Sequence, residues 1–338
     1  MTGEMRLFLR DLPDHAEGLA WSPEGRFLAA ATLGDRGDVL VLDGERGDLL
    51  WREAGHEGGA SAIAWSPDGK RLASTGHDGV LCVRDGGTGE ERWSTPPTRG
   101  WEAHLRWSPD GKYLASTIGN RLRIHGLDGA EIEEFERLPG AANDMLWHPK
   151  IPRILVASRK GIHWFEPGKY KPVREYPCPG AALSMCLRPG QQWLAVGCQD
   201  KSIFCWDVAD ATPLCMGGYA APPRCLQWTE NLLATAGGTK VNLWDFSGKG
   251  PAGSRPRSLA GHTSLITGLR AVRNSWLFSI SLTGELIAWD RAEGWKPWLA
   301  DELDAPFHNL VLSPDGLKMA ASVEGGAVLG WSMRPLLS

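Results

Sequence analysis

The chain has 338 residues, with 36 Lys and Arg against 40 Asp and Glu and a formal net charge of −4. That balance lacks the basic footprint that a phosphate backbone requires, which excludes nucleic acid as the main partner. Hydrophobic residues make up 42 % of the chain, enough for a large core and too many for a disordered polypeptide. No apolar run approaches the roughly 18 residues that cross a bilayer, and MTGEMRLFLRDLPDHAEG carries acids where a secretory leader has an apolar stretch. Seven cysteines without a CxxC pair fit reduced thiols. The expectation is a soluble, cytoplasmic protein with no membrane segment.

In chain order, the first element is a lone strand, MRLFLRDL at 5–12, followed by a phrase that keeps returning. LAWSPEGRFLAA (19–30) comes back as IAWSPDGKRLAS (63–74) and LRWSPDGKYLAS (105–116). Decayed copies follow: MLWHPKIPRILVAS (145–158), MCLRPGQQWLAVG (185–197), CLQWTENLLATAG (225–237) and ITGLRAVRNSWLFSIS (266–281). NLVLSPDGLKMAAS (309–322) is clear again. The anchors are Trp21, Trp65, Trp107, Trp147, Leu187, Trp228, Leu269 and Leu312, spaced by 40 to 44 residues. Self-similarity at such a period marks a repeat architecture. Each copy reads as four short strands: an apolar alternation, a Ser-Pro-Asp-Gly hairpin, a β-rich run, a Gly/Asp turn, a third strand and a more polar fourth. Such a sheet cannot bury its faces alone, and radial stacking solves this.

Third strands ending in Trp206-Asp207, Trp244-Asp245 and Trp289-Asp290, and the dipeptides Gly55-His56 and Gly261-His262, make the chain resemble the WD40-repeat family. The resemblance covers about residues 5 to 335 and implies an all-β propeller, a single domain over 1–338. Eight blades use the full length; seven is the alternative, with repeat seven as an insertion. The last repeat stops after its third strand, and in such propellers the N-terminal strand completes the last blade, here 5–12 beside 327–333. The resemblance also implies a buried network of His, Ser or Thr, Asp and Trp in each blade. His56, Ser74 and Asp78 fit it. Arg84 stands where Trp is usual and Thr283 where Asp is usual, so several blades are expected to rely on packing alone.

The chemistry-bearing motifs of enzymes are missing. There is no G-x-S-x-G elbow, no HxH, HExxH or Cys/His cluster for a metal and no phosphate-binding glycine loop. No cofactor, no metal and no catalytic residue is expected. Blade-forming positions repeat, whereas the loops entering each repeat and the turns between second and third strands vary. The resemblance places these on the face where family members bind partners. The candidate residues there are Arg99, Trp101 and His104, then Asp144, Arg159, Lys160, Gln199, Tyr219, Arg224, Phe307 and His308. Trp101 suits an interface anchor or a lid on the channel. The set mixes aromatic, Arg and amide groups in the manner of an interface core. The functional expectation is a non-enzymatic scaffold that holds protein or peptide partners inside a larger complex. The alternative is a propeller that binds a small molecule or metal ion, or hydrolyses a small substrate, at its channel. Acids at 128–136 and bases at 145–177 read as mutual neutralisation between blades three and four, with a steering patch for an acidic partner as the second reading. The Gly/Pro/Ser-rich stretch 247–258 reads as a loose connector.

Overall fold

The computed structural model describes residues 5–98, 100, 102–135, 138–169, 171–190, 192–209, 212–248, 250–251 and 253–337. Among them are eight four-stranded sheets, and the chain is an all-β propeller of eight blades. Blades one to seven use consecutive strands within 16–54, 60–94, 102–135, 144–177, 182–216, 225–260 and 266–302. Repeat seven is a complete blade (Ile266–Val272, Trp276–Ser281, Glu285–Asp290, Lys296–Glu302), so the seven-blade alternative is set aside. In the eighth sheet Arg6–Asp11 lies antiparallel to Ala327–Ser332, with Arg6 opposite Trp331 and Asp11 opposite Ala327. The N-terminal strand therefore closes the last blade, as its position ahead of the first repeat predicts.

The returning phrase folds as a hairpin whose side chains cap its own backbone. Ser66 Oγ accepts the Arg71 N–H at 3.0 Å and donates to Asp68 at 2.6 Å, and Asp68 accepts the Lys70 N–H. Gly69 takes the positive φ of +69° that closes the turn. Ser108 with Asp110, and Ser313 with Asp315, repeat the arrangement. Burial works to raise the Asp68 and Asp110 carboxyls, and the hydrogen bonds outweigh it and hold both below the ordinary range.

Two compact units are present. One contains residues 5–156, 163–174 and 311–337; the other contains 157–162 and 175–310. In the first unit, the anchor tryptophans stitch each blade to the one before. Trp65 Nε1 donates to Ala20 O, Trp107 Nε1 to Ala64 O and Trp147 Nε1 to Arg106 O, at 3.0–3.2 Å. A second row runs through the fourth strands: Trp51 Nε1 donates to Gly86 O and Trp93 Nε1 to Leu127 O. Those rings lie over Gly89 and Gly129, where an added Cβ would come within 2.9 and 2.7 Å of the indoles at φ of +80° and +84°. Only glycine fits both constraints. Apolar clusters fill this unit, such as Phe8, Leu19, Trp21, Leu28, Leu42 and Val328, and Leu122, Met145, Trp147 and Phe165. In the second unit Trp228 Nε1 donates to Cys186 O in the same way. Its clusters include Trp193, Tyr219, Trp228 and Phe246, and Leu243, Leu269, Leu277 and Trp289. Fully burying side chains of this size is worth about 1.5–3 kcal/mol each.

Two described residues of the stretch 247–258 make defined contacts. Ser254 caps Pro251 through its N–H and hydroxyl, and Gly250 lies against Leu214 and Trp193 of blade five.

Candidate interaction face

Each blade has one end where the incoming connection meets the turn between second and third strands. Backbone hydrogen bonds bind the two segments there. His56 N donates to Gly37 O, Leu138 N to Asn120 O, Gln199 N to Ala181 O, Ala221 N to Gly237 O and Leu303 N to Gly284 O. The variable residues are thus presented on a fastened backbone rather than on loose loops.

Behind that end lies a polar network that sets the angle of the connection. In blade two His56 Nδ1 lies 3.1 Å from Asp78 and Nε2 lies 2.8 Å from Ser74 Oγ. Arg84 fills the place of the indole, donating to Ser74 Oγ at 3.3 Å and to Ala54 O at 3.5 Å. Burial alone would raise the Asp78 carboxyl, but bonds from His56 and the Val80 and Glu57 N–H groups hold it down. Blade seven has the complete set in altered form. His262 Nδ1 meets Glu285 at 3.0 Å, Nε2 meets Ser279 Oγ at 2.6 Å, and Trp289 Nε1 donates to Ser279 at 2.8 Å. In blade six a tyrosine replaces the histidine: Trp244 Nε1 donates to Tyr219 Oη at 2.7 Å, and Tyr219 reaches Thr235 Oγ1 at 2.6 Å. Blades six and seven therefore do not rely on packing alone.

The candidate residues divide. Arg159, Lys160, Gln199 and Arg224 are exposed. Asp144 is half-buried and caps the Met145 N–H at 2.8 Å. His104 donates through Nε2 to Ala142 O at 3.2 Å; burial pushes its pKa down against the pull of Asp144. His308 is half-buried. Two expectations need correction. Tyr219 is 7 % exposed, with its hydroxyl committed to the network above, and Phe307 is fully buried at the start of its strand. Both serve the blade interior because an aromatic beside a strand start gains more from burial than from solvent. Arg99 and Trp101 lie outside the described residues. Of the candidates, the Asp144 carboxylate acts on the His104 ring.

Sequence reading missed a pocket of about 270 Å³ at this end of blade three, lined by Pro96, Thr98, Ile118, Arg121, Arg123, Glu131 and Glu134. Arg121 pairs with Glu134 at 3.3 Å and Arg123 with Glu131 at 3.4 Å, while Arg153 pairs with Glu166 inside blade four. These three pairs each stay within one blade. A contact that does cross is the Gly168 N–H to Glu133 at 2.7 Å. Among the described residues no group of three His, Cys, Asp or Glu could hold a metal ion. Among them, no helix is long and apolar enough to cross a membrane.

A propeller of four-stranded blades with a His–Ser–carboxylate network defines a class of repeat protein, and known proteins share its fold. The model of the WD domain, G-beta repeat, matches residues 47–85 and 170–207. Sqt1 from Chaetomium thermophilum superposes with a TM-score of 0.82 at 16 % identity, covering 97 % of this chain and 98 % of that one. The C-terminal WD40 domain of Sif2 gives 0.80 at 13 % identity, covering 97 % of each chain. A chain of the mitotic checkpoint complex gives 0.63 at 17 % identity, covering 98 % of this chain and 93 % of that one. Protein SLOW WALKER 1 of Arabidopsis thaliana is 34 % identical over 101 residues, 29 % of this chain; the match spans under a fifth of that relative's length, 18 %. Residues 47–85 and 170–207 thus match WD repeats, and the fold is that of a WD40-type β-propeller.

Proposed function

We propose that the protein is a non-enzymatic interaction platform that docks a protein or peptide partner on the connection ends of its blades. WD40 propellers typically act as interaction scaffolds and are usually without catalytic activity, and a similar chain belongs to a structure titled as the mitotic checkpoint complex. The observation that carries the reading is the contrast at those ends. Network residues such as His56, Asp78, His262 and Glu285 are satisfied beneath the surface. At the connection ends of their own blades Arg159, Lys160, Gln199 and Arg224 stand exposed, differ from blade to blade, and make no side-chain hydrogen bond or ion pair among the described residues. Three of the four carry positive charge or donors suited to bidentate contacts, so the partner surface they fit is acidic.

The test is affinity capture with the full chain against Arg159→Glu/Lys160→Glu/Arg224→Glu, read by mass spectrometry with melting curves alongside. The expected result is a partner retained by the wild type and lost by a variant that melts like it. Equal recovery of every partner by a fully folded variant would remove this face from the function.

A further inference from the structure

Blade five carries two cysteines at positions that the shared register places beside each other. Its strands Ala182–Leu187 and Trp193–Cys198 share a register with Ala60–Trp65 and Arg71–Gly76 of blade two, including the irregularity after the first pair. Ala182 faces Cys198 as Ala60 faces Gly76. The turn contacts match as well: Gln199 N donates to Ala181 O as His77 N donates to Gly59 O, and Cys178 N donates to Lys160 O as His56 N donates to Gly37 O. Cys178 therefore occupies the place of the network histidine, and Cys198 the place of Gly76. In blade two a Cβ built on Gly76 would overlap the Cβ of His56, so these two positions hold their side chains against each other. In blade five the second of them has a real Cβ and both end in sulfur. The Cys178 thiol is close enough to push the Cys198 thiol up, and neither cysteine is in a disulfide. A disulfide needs its Cβ atoms roughly 3.5–4.5 Å apart, and the shared register brings these two positions together.

We propose that Cys178 and Cys198 form a reversible dithiol–disulfide site that responds to peroxide. Cys178 is half-buried and open to a small oxidant, whereas Cys198 is fully buried. The Cys178 thiolate attacks one oxygen of hydrogen peroxide; the O–O bond breaks, leaving a sulfenic acid and a hydroxide that is protonated to water. The Cys198 sulfur gives up its proton and attacks the Cys178 sulfur. The S–S bond forms, the S–O bond breaks, and a second water leaves. Two thiols supply two electrons and one peroxide becomes two waters. The neighbouring Cys178 thiol and burial both raise the Cys198 pKa, which suits it to the resolving step rather than the first attack. The product staples the connection from blade four to the turn that carries Gln199. This inference concerns the chain alone and stands whether or not that end binds a partner.

The test uses the full chain, reduced, freed of reductant, treated with hydrogen peroxide, denatured and alkylated with N-ethylmaleimide before peptide mass mapping. The expected result is five alkylated cysteines instead of seven, a peptide pair joining Cys178 to Cys198, and full reversal by dithiothreitol. Cys178→Ser should leave Cys198 alkylated under the same treatment, and Cys215→Ser should leave the cross-link intact. Three results overturn the proposal: seven alkylated cysteines, a bond from Cys178 to Cys215, or Cys178 carried to the sulfinic acid while Cys198 remains alkylated.

Discussion

Glu285 lies 3.0 Å from Nδ1 of His262 and does for blade seven what Asp78 does for blade two. The carboxylate comes from the third strand rather than from the turn before it, two residues beyond Thr283. Its longer side chain spans the difference and also accepts from Thr263, Ser281 and Thr283. With Nδ1–H donating to the carboxylate, Nε2 is left to accept the Ser279 hydroxyl, whose oxygen accepts the Trp289 indole. Every polar atom in the chain of contacts is used, which is what a buried network requires.

Removing that acceptor should be costly. Glu285→Ala leaves the buried His262 N–H without its acceptor, and an unsatisfied buried group costs about 1–3 kcal/mol. Urea denaturation should show that loss. Thr283→Ala, which deletes one hydroxyl at the surface end of the network, should cost under about 1 kcal/mol. Equal losses in the two variants would show that Thr283, and not Glu285, anchors the histidine.

The repeat, the blade count and the closure were legible because each is a pattern in spacing. A Trp or Leu anchor every 40 to 44 residues and a Ser-Pro-Asp-Gly hairpin survive as letters. The His56–Ser74–Asp78 contact was legible for the same reason. Glu285 was not, because a carboxylate displaced by two residues breaks the letter pattern while keeping the geometry. Tyr219 was misplaced because its hydroxyl replaces an imidazole nitrogen, and an aromatic in a connecting loop reads as an anchor for a partner. The Cys178–Cys198 contact has no sequence signal of its own; twenty residues separate them, and only the shared register with His56 and Gly76 brings them together.

Closure of the last blade gives a second prediction. Arg6–Asp11 supplies the fourth strand, and Phe8 packs over both Gly47 and Gly330. Deleting residues 1–12 removes the strand and exposes the Ala327–Ser332 edge, a template for pairing between chains. Lower thermal stability and aggregation are expected, measured by scanning fluorimetry and light scattering. A truncated chain that melts like the full one would falsify this role.

The join between blades eight and one has a smaller lock. Lys318, 9 % exposed at its side chain, donates to Gly25 O at 3.0 Å and pairs with Glu45 at 2.9 Å, and Arg334 reaches the same carboxylate at 3.5 Å. Glu45→Ala strands a buried ammonium with a single carbonyl. Because Glu45 is itself 44 % exposed, water screens part of the loss. A destabilisation of about 1–2 kcal/mol is expected, and Glu45→Ala combined with Lys318→Met should recover part of it. A double variant less stable than Glu45→Ala would point to packing of Lys318 on Trp21 as the larger contribution.

Acid should unlock blade three before the carboxylates protonate. His125 is 1 % exposed at its side chain and stacks near Trp93; burial, with Arg123 beside it, pushes its pKa down to about 4. Glu131 is 3.8 Å away but 46 % exposed and shared with Arg123, so it does not offset the burial. The unfolded chain, with an ordinary histidine near 6.5, takes up the proton first as the pH falls. The contribution is therefore complete above about pH 6.5 and drains away between there and about pH 4, with a ceiling of roughly 3 kcal/mol. His262, also lowered by burial, adds to the same window. Urea midpoints measured from pH 7.5 to 4.5 should fall steadily in the wild type and less steeply in His125→Gln. Parallel slopes would mean that His125 keeps an ordinary pKa in the folded chain and that the acid sensitivity arises elsewhere.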